Sequence, residues 1–253
     1  MRSPLTMRLA LLFGLLVLAF PGHALTIAAA SSLRQVMPEL EAAFEQQHPD
    51  TPIRVIHGAS GKLATQILNG APYDLFLSAD DTYPRRLAEQ GAGATEPEPY
   101  AVGRLALWQG DPQRPALMPE ELAGSDIHKI AIAQPRHAPY GLRAREVLQA
   151  LDLWQLLQPR LVYGENIGQT AGMVESGAAD AGLIAWSLTF TPGLSGRPYT
   201  LIDQRLHSPL TMAMVITREG ADLPDARRFH DFMLSTEAQA ILVRYGFEAP
   251  TRN

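Results

Sequence analysis

Short apolar segments alternate with amphipathic helical segments along most of the chain, and this alternation constrains the fold more than any other feature of the sequence. The predicted strands lie at residues 25–30, 53–56, 75–77, 100–108, 129–133, 161–163, 182–185 and 210–216. The predicted helices lie at residues 33–44, 63–68, 82–90, 142–151, 169–176, 224–234 and 236–245. Since strands joined through helices run parallel and are covered on both faces, the pattern predicts an α/β protein.

A break rich in glycine and proline at residues 91–99 divides the pattern into two series. Two series predict two α/β lobes, each a mostly parallel sheet flanked by helices. We assign residues 25–102 together with 203–253 to lobe I, and residues 103–202 to lobe II. Ligands of open α/β sheets bind beyond the carboxyl ends of the strands, so we expect a ligand in the cleft between the lobes. Closure of that cleft would bend the chain near residues 100–108 and 198–210.

Residues 1–24 have the layout of a secretory signal peptide. Arg2 and Arg8 precede 12 apolar residues from Leu9 to Phe20, and small residues follow before Ala24. This apolar run is too short to cross a bilayer, which takes about 20 residues. We therefore expect cleavage after Ala24 and export to the periplasm.

The chain contains no cysteine, which removes disulfides, thiolate metal sites, cysteine nucleophiles and any lipid anchor attached to cysteine. We therefore expect a protein that is free in the periplasm. Loss of Arg2 and Arg8 would change the net charge from −5 to −7, and the whole chain has only two lysines, Lys62 and Lys129. Because nucleic-acid affinity rests on clustered cations, we expect no nucleic-acid partner.

Four strand-to-helix turns share one design, in which small or polar residues follow an apolar strand and precede a helix. They lie at residues 30–32, 58–61, 137–141 and 164–168. A helix start leaves backbone N–H groups without intrahelical partners and carries a partial positive charge, while serine adds a hydroxyl and glycine allows close approach of the backbone. Four such turns in one cleft would surround an oxyanion with neutral donors, although Ser32 and Ser60 could equally be helix N-caps.

Motifs of common enzyme classes are absent. Residues 58–62 read Gly-Ala-Ser-Gly-Lys and miss the G-x-S-x-G nucleophile elbow at the last position, Lys62. We interpret Lys62 as a solvated surface cation, with a salt-bridging cation as the alternative. The seven histidines are scattered singly, so no general base is evident beside a serine. A secreted serine hydrolase stays open as an alternative, and it would need a histidine and an acid to converge on Ser32 or Ser60.

Several motifs together resemble those of the periplasmic molybdate-binding proteins of ABC transporters. They are AAASSL at residues 28–33, GASG at 58–61, GAPYDLFLSADD at 70–81, AQPRHAPYG at 133–141, GENI at 164–167 and RYGF at 244–247. The resemblance runs in order over nearly all of the predicted mature chain. It implies a two-lobed periplasmic binding protein fold that closes on molybdate or tungstate and delivers it to an inner-membrane ABC permease. It implies a monomeric carrier with no enzymatic activity and no cofactor.

The resemblance also implies which residues contact the oxyanion. In lobe I these are Ser32 and Ser60, through hydroxyl and backbone N–H, with Ser31 as a further contributor. In lobe II they are the backbone N–H groups of Tyr140 and Ile167. Molybdenum would then be bound only as the oxyanion, and not as a metal ion held by side chains.

One position departs from the pattern of some family members, which add a tyrosine hydroxyl to the site. This sequence has Ala185 at that position and lacks the donor. A binding protein for sulfate or a small organic acid also stays open, because it would share the same fold.

Overall fold

A computed structural model describes residues 24–124 and 126–250 of the chain. The predicted signal peptide, apart from Ala24 at its end, lies outside the described residues. Within them the strands form two five-stranded sheets. None of the helices in these two ranges has the length and apolar character of a membrane span.

The strands and helices follow the alternation predicted from the sequence. The strands are β1 (Leu25–Ala30), β2 (Ile53–Gly58), β3 (Leu75–Leu77), β4 (Glu98–Gly103), β5 (Leu105–Gln109), β6 (Ile130–Ala133), β7 (Leu161–Gly164), β8 (Ala181–Ala185), β9 (Tyr199–Leu201) and β10 (Leu210–Ile216). The α-helices are α1 (Met37–Gln47), α2 (Ser60–Leu68), α3 (Thr82–Glu89), α4 (Pro139–Ala150), α5 (Trp154–Leu157), α6 (Ile167–Glu175), α7 (Pro224–Met233) and α8 (Thr236–Arg244). The short elements β9 and α5 were not predicted.

The two sheets repeat one arrangement. The sheet of lobe I has the order β2-β1-β3-β10-β4, and the sheet of lobe II has the order β7-β6-β8-β5-β9. In lobe I, β1 runs parallel to β2 and β3, whereas β10 runs antiparallel to β3 and β4. In lobe II, β6 runs parallel to β7 and β8, whereas β5 runs antiparallel to β8 and β9.

Each sheet is therefore mixed, with four strands in one direction and a single reversed strand, β10 in lobe I and β5 in lobe II. The reason lies in β5 and β10, which are the strands that enter each lobe from the other one. Neither strand follows a helical crossover within its own sheet, so neither is held to the parallel direction that such a crossover imposes.

Side chains of the lobe I strands alternate between two apolar layers, as the two-residue period of a strand requires. Ile27 of β1 belongs to the main core together with Phe44 of α1. The next residue, Ala28, belongs to a second core with Leu63 of α2 and Phe76 of β3. Helices α1 and α2 therefore cover opposite faces of the same sheet.

Two predicted elements differ most from the observed ones. The predicted strand at residues 100–108 breaks at Arg104 into β4 of lobe I and β5 of lobe II. The predicted helix at residues 33–44 begins only at Met37, after a short 3-10 helix at Ser31–Leu33. Pro38 explains this start, because proline has no N–H and is tolerated only in the first turn of a helix.

The chain crosses between the two sheets at two places. It leaves lobe I between Gly103 and Leu105, and it returns between Leu201 and Leu210. Both crossings lie within the segments predicted to bend. The domain boundaries assigned from the sequence stay a prediction.

Candidate functional site

A small cavity lies between the lobes, where β1, β2, β6 and β7 end. Its lining residues come from the four predicted turns and from the turn after β3: Ala30, Ser31, Gly58, Ala59, Ser60, Ala79, Ala138, Pro139, Tyr140 and Ile167. Both lobes contribute to the lining, and no residue in it carries a charge. The structure therefore brings the four turns together around one cavity.

The turn after β1 presents Ser31 to the cavity, whereas Ser32 is not part of the lining. Both serines are buried, and neither hydroxyl makes a hydrogen bond within the described part of the chain. Buried hydroxyls without partners are rare because they lose hydration without compensation. This turn is a three-residue 3-10 helix, so the prediction of an α-helix N-terminus here was wrong.

Ser60 is the first residue of α2, at the opposite side of the lobe I lining. Its Oγ accepts a hydrogen bond of 3.0 Å from the backbone N–H of Ala79, and it does not cap the helix. Since a hydroxyl has one proton and two lone pairs, this bond leaves the Ser60 proton available for donation to a ligand. The alternative role of Ser60 as an N-cap is therefore not found.

Helix α4 begins directly at the edge of the cavity. Pro139 is its first residue, where a missing N–H costs nothing. The backbone N–H of Tyr140 lies in the first turn, where the helix supplies no acceptor. Gly141 lets the helix start close to β6, because a Cβ at this position would lie 2.0 Å from the carbonyl oxygen of Ala133.

Helix α6 supplies the second helix N-terminus of lobe II. Asn166 caps it, and its side chain accepts a hydrogen bond of 3.0 Å from the N–H of Gln169. Ile167 and Gly168 precede Gln169 in the first turn of α6, so their N–H groups have no acceptor within the helix. Ile167 lines the cavity.

Contacts between the lobes surround the cavity. The backbone N–H of Gly61 in lobe I donates to the carbonyl oxygen of His137 in lobe II over 2.9 Å. The hydroxyl of Ser187 in lobe II donates to the carbonyl oxygen of Ser32 in lobe I over 2.7 Å. The cleft is thus closed over the cavity.

Charged groups stand at the outer rim of the cleft and not in its lining. Lys62 of lobe I forms an ion pair with Glu165 of lobe II, and both side chains are about half exposed. His137 lies beside this pair. Burial lowers the pKa of His137, and the positive charges of Lys62 and Arg136 lower it further.

A second histidine lies behind the turn after β1. Burial lowers the pKa of His57 to about 4, the charge of Arg34 lowers it as well, and the nearby backbone of Ala30 opposes the shift. His57 is therefore neutral near pH 7 and adds no charge to the site.

The predicted site residues do not all occupy the same place. Four of the five line the cavity: Ser31, Ser60, Tyr140 and Ile167. Ser32 contacts lobe II through its carbonyl oxygen instead. Ala185 is buried at the end of β8 and supplies no hydroxyl.

Sequence reasoning missed Ser187, which follows two residues after β8. The pattern that predicted the other turns also occurs after β8, because Ser187 is a small polar residue that follows an apolar strand. The segment was overlooked because no α-helix follows it. It forms a 3-10 helix at Trp186–Phe190.

The arrangement of donors suits an anion and does not suit a metal ion or serine hydrolysis. In the described ranges no group of three or more histidine, aspartate or glutamate side chains is placed to hold a metal ion. The lining offers O–H and N–H donors and no carboxylate. The hydroxyl of Ser60 contacts a backbone N–H, and those of Ser31 and Ser32 make no hydrogen bond to a histidine. The hydrolase alternative therefore gains no support.

The chain is similar to known proteins in its family profile, its sequence and its structure. A family profile described as bacterial extracellular solute-binding protein matches residues 25–248 of the chain. The molybdate-binding protein ModA of Rhodobacter capsulatus is 35% identical over 240 residues, covering 94% of this chain and 93% of the relative. The molybdate-binding protein ModA of Azotobacter vinelandii is 32% identical over 238 residues, covering 92% and 93%.

Solved structures share the architecture. The periplasmic molybdate-binding protein of Azotobacter vinelandii matches with a TM-score of 0.84 at 31% identity, over 90% of this chain and 100% of that chain. The sulfate-binding protein SubI of Mycobacterium tuberculosis matches with a TM-score of 0.74 at 14% identity, over 90% and 87%, which shows a shared fold alone. The predicted two-lobed fold is confirmed by these matches.

Proposed function

The chain belongs to the family of bacterial extracellular solute-binding proteins, and we propose that it binds molybdate in the periplasm and delivers it to an ABC permease of the inner membrane. The observation that carries the proposal is the lining of the interlobe cavity. It combines buried hydroxyls with two α-helix N-termini from lobe II and one from lobe I, and it contains no charged side chain.

A tetrahedral dianion in a closed cleft needs a hydrogen bond to each oxygen, because an unpaired buried charge is costly. Hydrogen bonds to a charged group contribute about 1.5–3 kcal/mol each, so several neutral donors together hold the anion. Neutral donors also leave no buried charge behind when the anion departs to the permease. The net charge of −5 on the chain does not oppose binding, since the donors act locally.

We propose Ser31, Ser32, Ser60, Tyr140 and Ile167 as the binding residues. Ser31 and Ser60 donate through their hydroxyls, and Tyr140 and Ile167 donate through backbone N–H groups of helix first turns. Ser32 lies behind the lining of the cavity. We propose that it contributes through its backbone and by supporting the turn that carries Ser31. Molybdenum enters as the oxyanion, and the protein needs no cofactor.

Ligand selectivity follows from the same donors. Tungstate is a tetrahedral dianion like molybdate and presents the same four acceptor oxygens, so we propose that it binds as well. Phosphate near neutral pH carries a proton, and the lining has no carboxylate to accept it. The O–H of a bound phosphate would be left unpaired, which disfavours that ion.

Calorimetry with the exported protein tests the proposal. We expect molybdate and tungstate to bind with dissociation constants below about 1 μM, and sulfate and phosphate to bind far more weakly. At a molybdate concentration of about 100 times the dissociation constant, the free energy of unfolding should rise by about 2.7 kcal/mol. Tight sulfate binding with weak molybdate binding would contradict the proposal and favour a sulfate carrier.

The proposed location depends on residues 1–24, whose role is that of a cleaved signal peptide. The absence of cysteine leaves no attachment point for a lipid on a cysteine side chain, so we propose that the protein is free in the periplasm. The resemblance to molybdate-binding proteins supports the further proposal that it is a monomer. Mass spectrometry of the protein released from the periplasm checks the predicted cut after Ala24, and light scattering checks the monomer. An uncut chain that sediments with membranes would contradict this part of the proposal.

A further inference from the structure

Ser32 is the point at which lobe II contacts the turn that carries Ser31. Ser32 is completely buried and lies outside the cavity lining. The hydroxyl of Ser187 donates to its carbonyl oxygen over 2.7 Å. The hydroxyl of Tyr140 lies next to its hydroxyl, although the two oxygens do not reach hydrogen-bonding geometry. Both of these neighbours come from lobe II.

The phenol of Tyr140 extends from α4 to the end of β4, where the chain crosses between the lobes. A Cβ at Gly103 would lie 2.2 Å from the Tyr140 hydroxyl oxygen, so only glycine leaves space for this side chain. The hydroxyl is buried and makes no hydrogen bond within the described residues. Burial raises the pKa of Tyr140, and the Ser32 hydroxyl opposes that rise, so the phenol keeps its proton and can donate it.

The turn that carries Ser31 is short, and Leu33 anchors it in the main core. It is a 3-10 helix of three residues, and no side chain caps it. Ser60, on the other side of the cavity, is held differently, because it begins the nine-residue helix α2 and its oxygen accepts the N–H of Ala79 from the same lobe. The Ser31 side of the site thus receives a hydrogen bond from the other lobe, whereas the Ser60 side does not depend on one.

We propose that Tyr140 and Ser187 are positioning residues of the oxyanion site. Both belong to lobe II and hold Ser32 in place. Because Ser31 is next to Ser32 in the same turn, they thereby keep the Ser31 hydroxyl and the N–H groups of that turn directed at the ligand. The hydroxyl of Tyr140 packs beside the hydroxyl of Ser32, and Ser187 donates to the Ser32 carbonyl. Because both contacts form only when the lobes meet, closure of the cleft completes the binding site. This inference rests on the proposed function and adds a second role for Tyr140 besides its backbone N–H.

Binding kinetics of the exported protein with molybdate test the inference. Tyr140→Phe keeps the ring and the backbone N–H, and it removes only the hydroxyl. We expect Tyr140→Phe and Ser187→Ala each to weaken molybdate binding by about three- to tenfold. The loss should lie in a faster dissociation rate, with an unchanged association rate, because the contacts form after the ligand has entered.

A double-mutant cycle shows whether Tyr140 acts through Ser32. We expect Ser32→Ala to weaken binding by a similar factor, and Tyr140→Phe to have no further effect in the Ser32→Ala chain. If the two losses multiply, the two hydroxyls act independently and the inference is overturned.

Matched controls separate positioning from a general loss of stability. Tyr100→Phe removes another buried tyrosine hydroxyl, which donates to the carbonyl of Ser78 over 2.9 Å within lobe I. Thr189→Val removes a local hydrogen bond of 2.8 Å from Thr189 Oγ1 to the carbonyl of Trp186, in the same segment as Ser187. We expect both controls to lower the melting temperature and to leave molybdate affinity unchanged.

The outcomes distinguish this inference from the proposed function. Tight molybdate binding by the unmodified protein together with unchanged binding by Tyr140→Phe and Ser187→Ala overturns the inference alone. Equal losses of affinity in the variants and in their controls also overturn it. A lack of molybdate binding by the unmodified protein contradicts the proposed function, and the inference fails with it.

Discussion

Lys62 at the start of α2 and Glu165 in the turn before α6 form an ion pair that joins the two lobes across the mouth of the cleft. The same place holds a backbone hydrogen bond of 2.9 Å from Gly61 to the carbonyl of His137. The ring of His137 in turn lies 2.9 Å from the carbonyl oxygen of Glu165. The contacts at the mouth thus link a lobe I helix start to two lobe II turns.

We expect this ion pair to slow the release of ligand. Both side chains are about half exposed, so the pair contributes at most about 1 kcal/mol, which corresponds to about a fivefold change in rate. Lys62→Met and Glu165→Gln should each raise the molybdate dissociation rate by up to that factor at low salt, and less at high salt. Stopped-flow measurements at two ionic strengths check this.

The control for the ion pair is Arg228→Gln, which removes a pair with Asp225 inside α7 and should leave the dissociation rate unchanged. The double variant Lys62→Met/Glu165→Gln should release ligand no faster than either single variant, since each already breaks the contact. Equal dissociation rates in all these chains at low salt would show that the pair has no part in retention.

Ser60→Ala should lower both ligand affinity and stability. The variant loses a hydroxyl donor in the cavity, for which we expect at least a fivefold weaker molybdate affinity. It also leaves the buried N–H of Ala79 without its acceptor, at a cost of about 1–3 kcal/mol in the free energy of unfolding. Calorimetry and urea unfolding measure the two effects separately.

Ser176→Ala is the matched control for Ser60→Ala, because Ser176 is exposed and its hydroxyl bonds only to the carbonyl of Met173. We expect no change in affinity there. If Ser60→Ala lowers the stability but not the affinity, Ser60 has a structural role only.

Gly103→Ala should weaken molybdate binding, because its Cβ would lie 2.2 Å from the Tyr140 hydroxyl oxygen when the cleft is closed. Overpacking of this kind costs about 1–3 kcal/mol. Removal of the hydroxyl relieves the contact, since the nearest remaining ring atom would lie 3.1 Å away. The chain with Gly103→Ala and Tyr140→Phe should therefore bind better than Gly103→Ala alone, as calorimetry would show.

A matched glycine for this test is Gly172 in α6, where an added Cβ would meet nothing within 4 Å. Gly172→Ala should leave affinity unchanged and raise the stability slightly, because alanine favours a helix more than glycine does. If Tyr140→Phe does not restore the affinity that Gly103→Ala loses, the loss does not come from the contact between the added Cβ and the Tyr140 hydroxyl.

His57 should make the protein less stable in mild acid. Its pKa in the folded protein is about 4, below the ordinary value of 6.5, so the unfolded chain binds a proton before the folded one does. The stability that the protein gains from burying neutral His57 is therefore fully present above about pH 6.5, and it is lost as the pH falls toward 4.

His57→Gln stays neutral and isolates this contribution from those of other groups. The melting temperature of the unmodified protein should fall, relative to that of His57→Gln, between about pH 6.5 and 4. Parallel melting profiles of the two chains over that range would contradict the assignment.

Much of the candidate site could be predicted because its chemistry is local. Small and polar residues after an apolar strand mark a turn that leaves N–H groups and hydroxyls unpaired, and this signal predicted the four turns that line the cavity. The resemblance to molybdate-binding proteins pointed to Ser31, Ser60, Tyr140 and Ile167 within these turns. The same logic failed at the turn after β1, where Pro38 excludes the helix start that the apolar spacing suggested.

Other contacts could not be predicted because they depend on how the lobes meet. Lys62 was interpreted as a solvated cation, yet it pairs with Glu165 of the other lobe. The bond from Ser187 to Ser32 joins residues 155 positions apart, and no local pattern indicates such a pair. Which of the two adjacent serines faces the cavity also depends on the 3-10 helix that carries them.

By itself, the sequence determined the α/β alternation, the two lobes and the donor-rich turns, because periodicity and turn chemistry act between near neighbours along the chain. Only the tertiary structure decided that Ser31 lines the cavity while Ser32 is held from lobe II, and that β5 and β10 run antiparallel to their neighbours. These features arise where the chain crosses between lobes and where the lobes close on each other. There, contacts are set by packing between distant segments and not by the residues on either side.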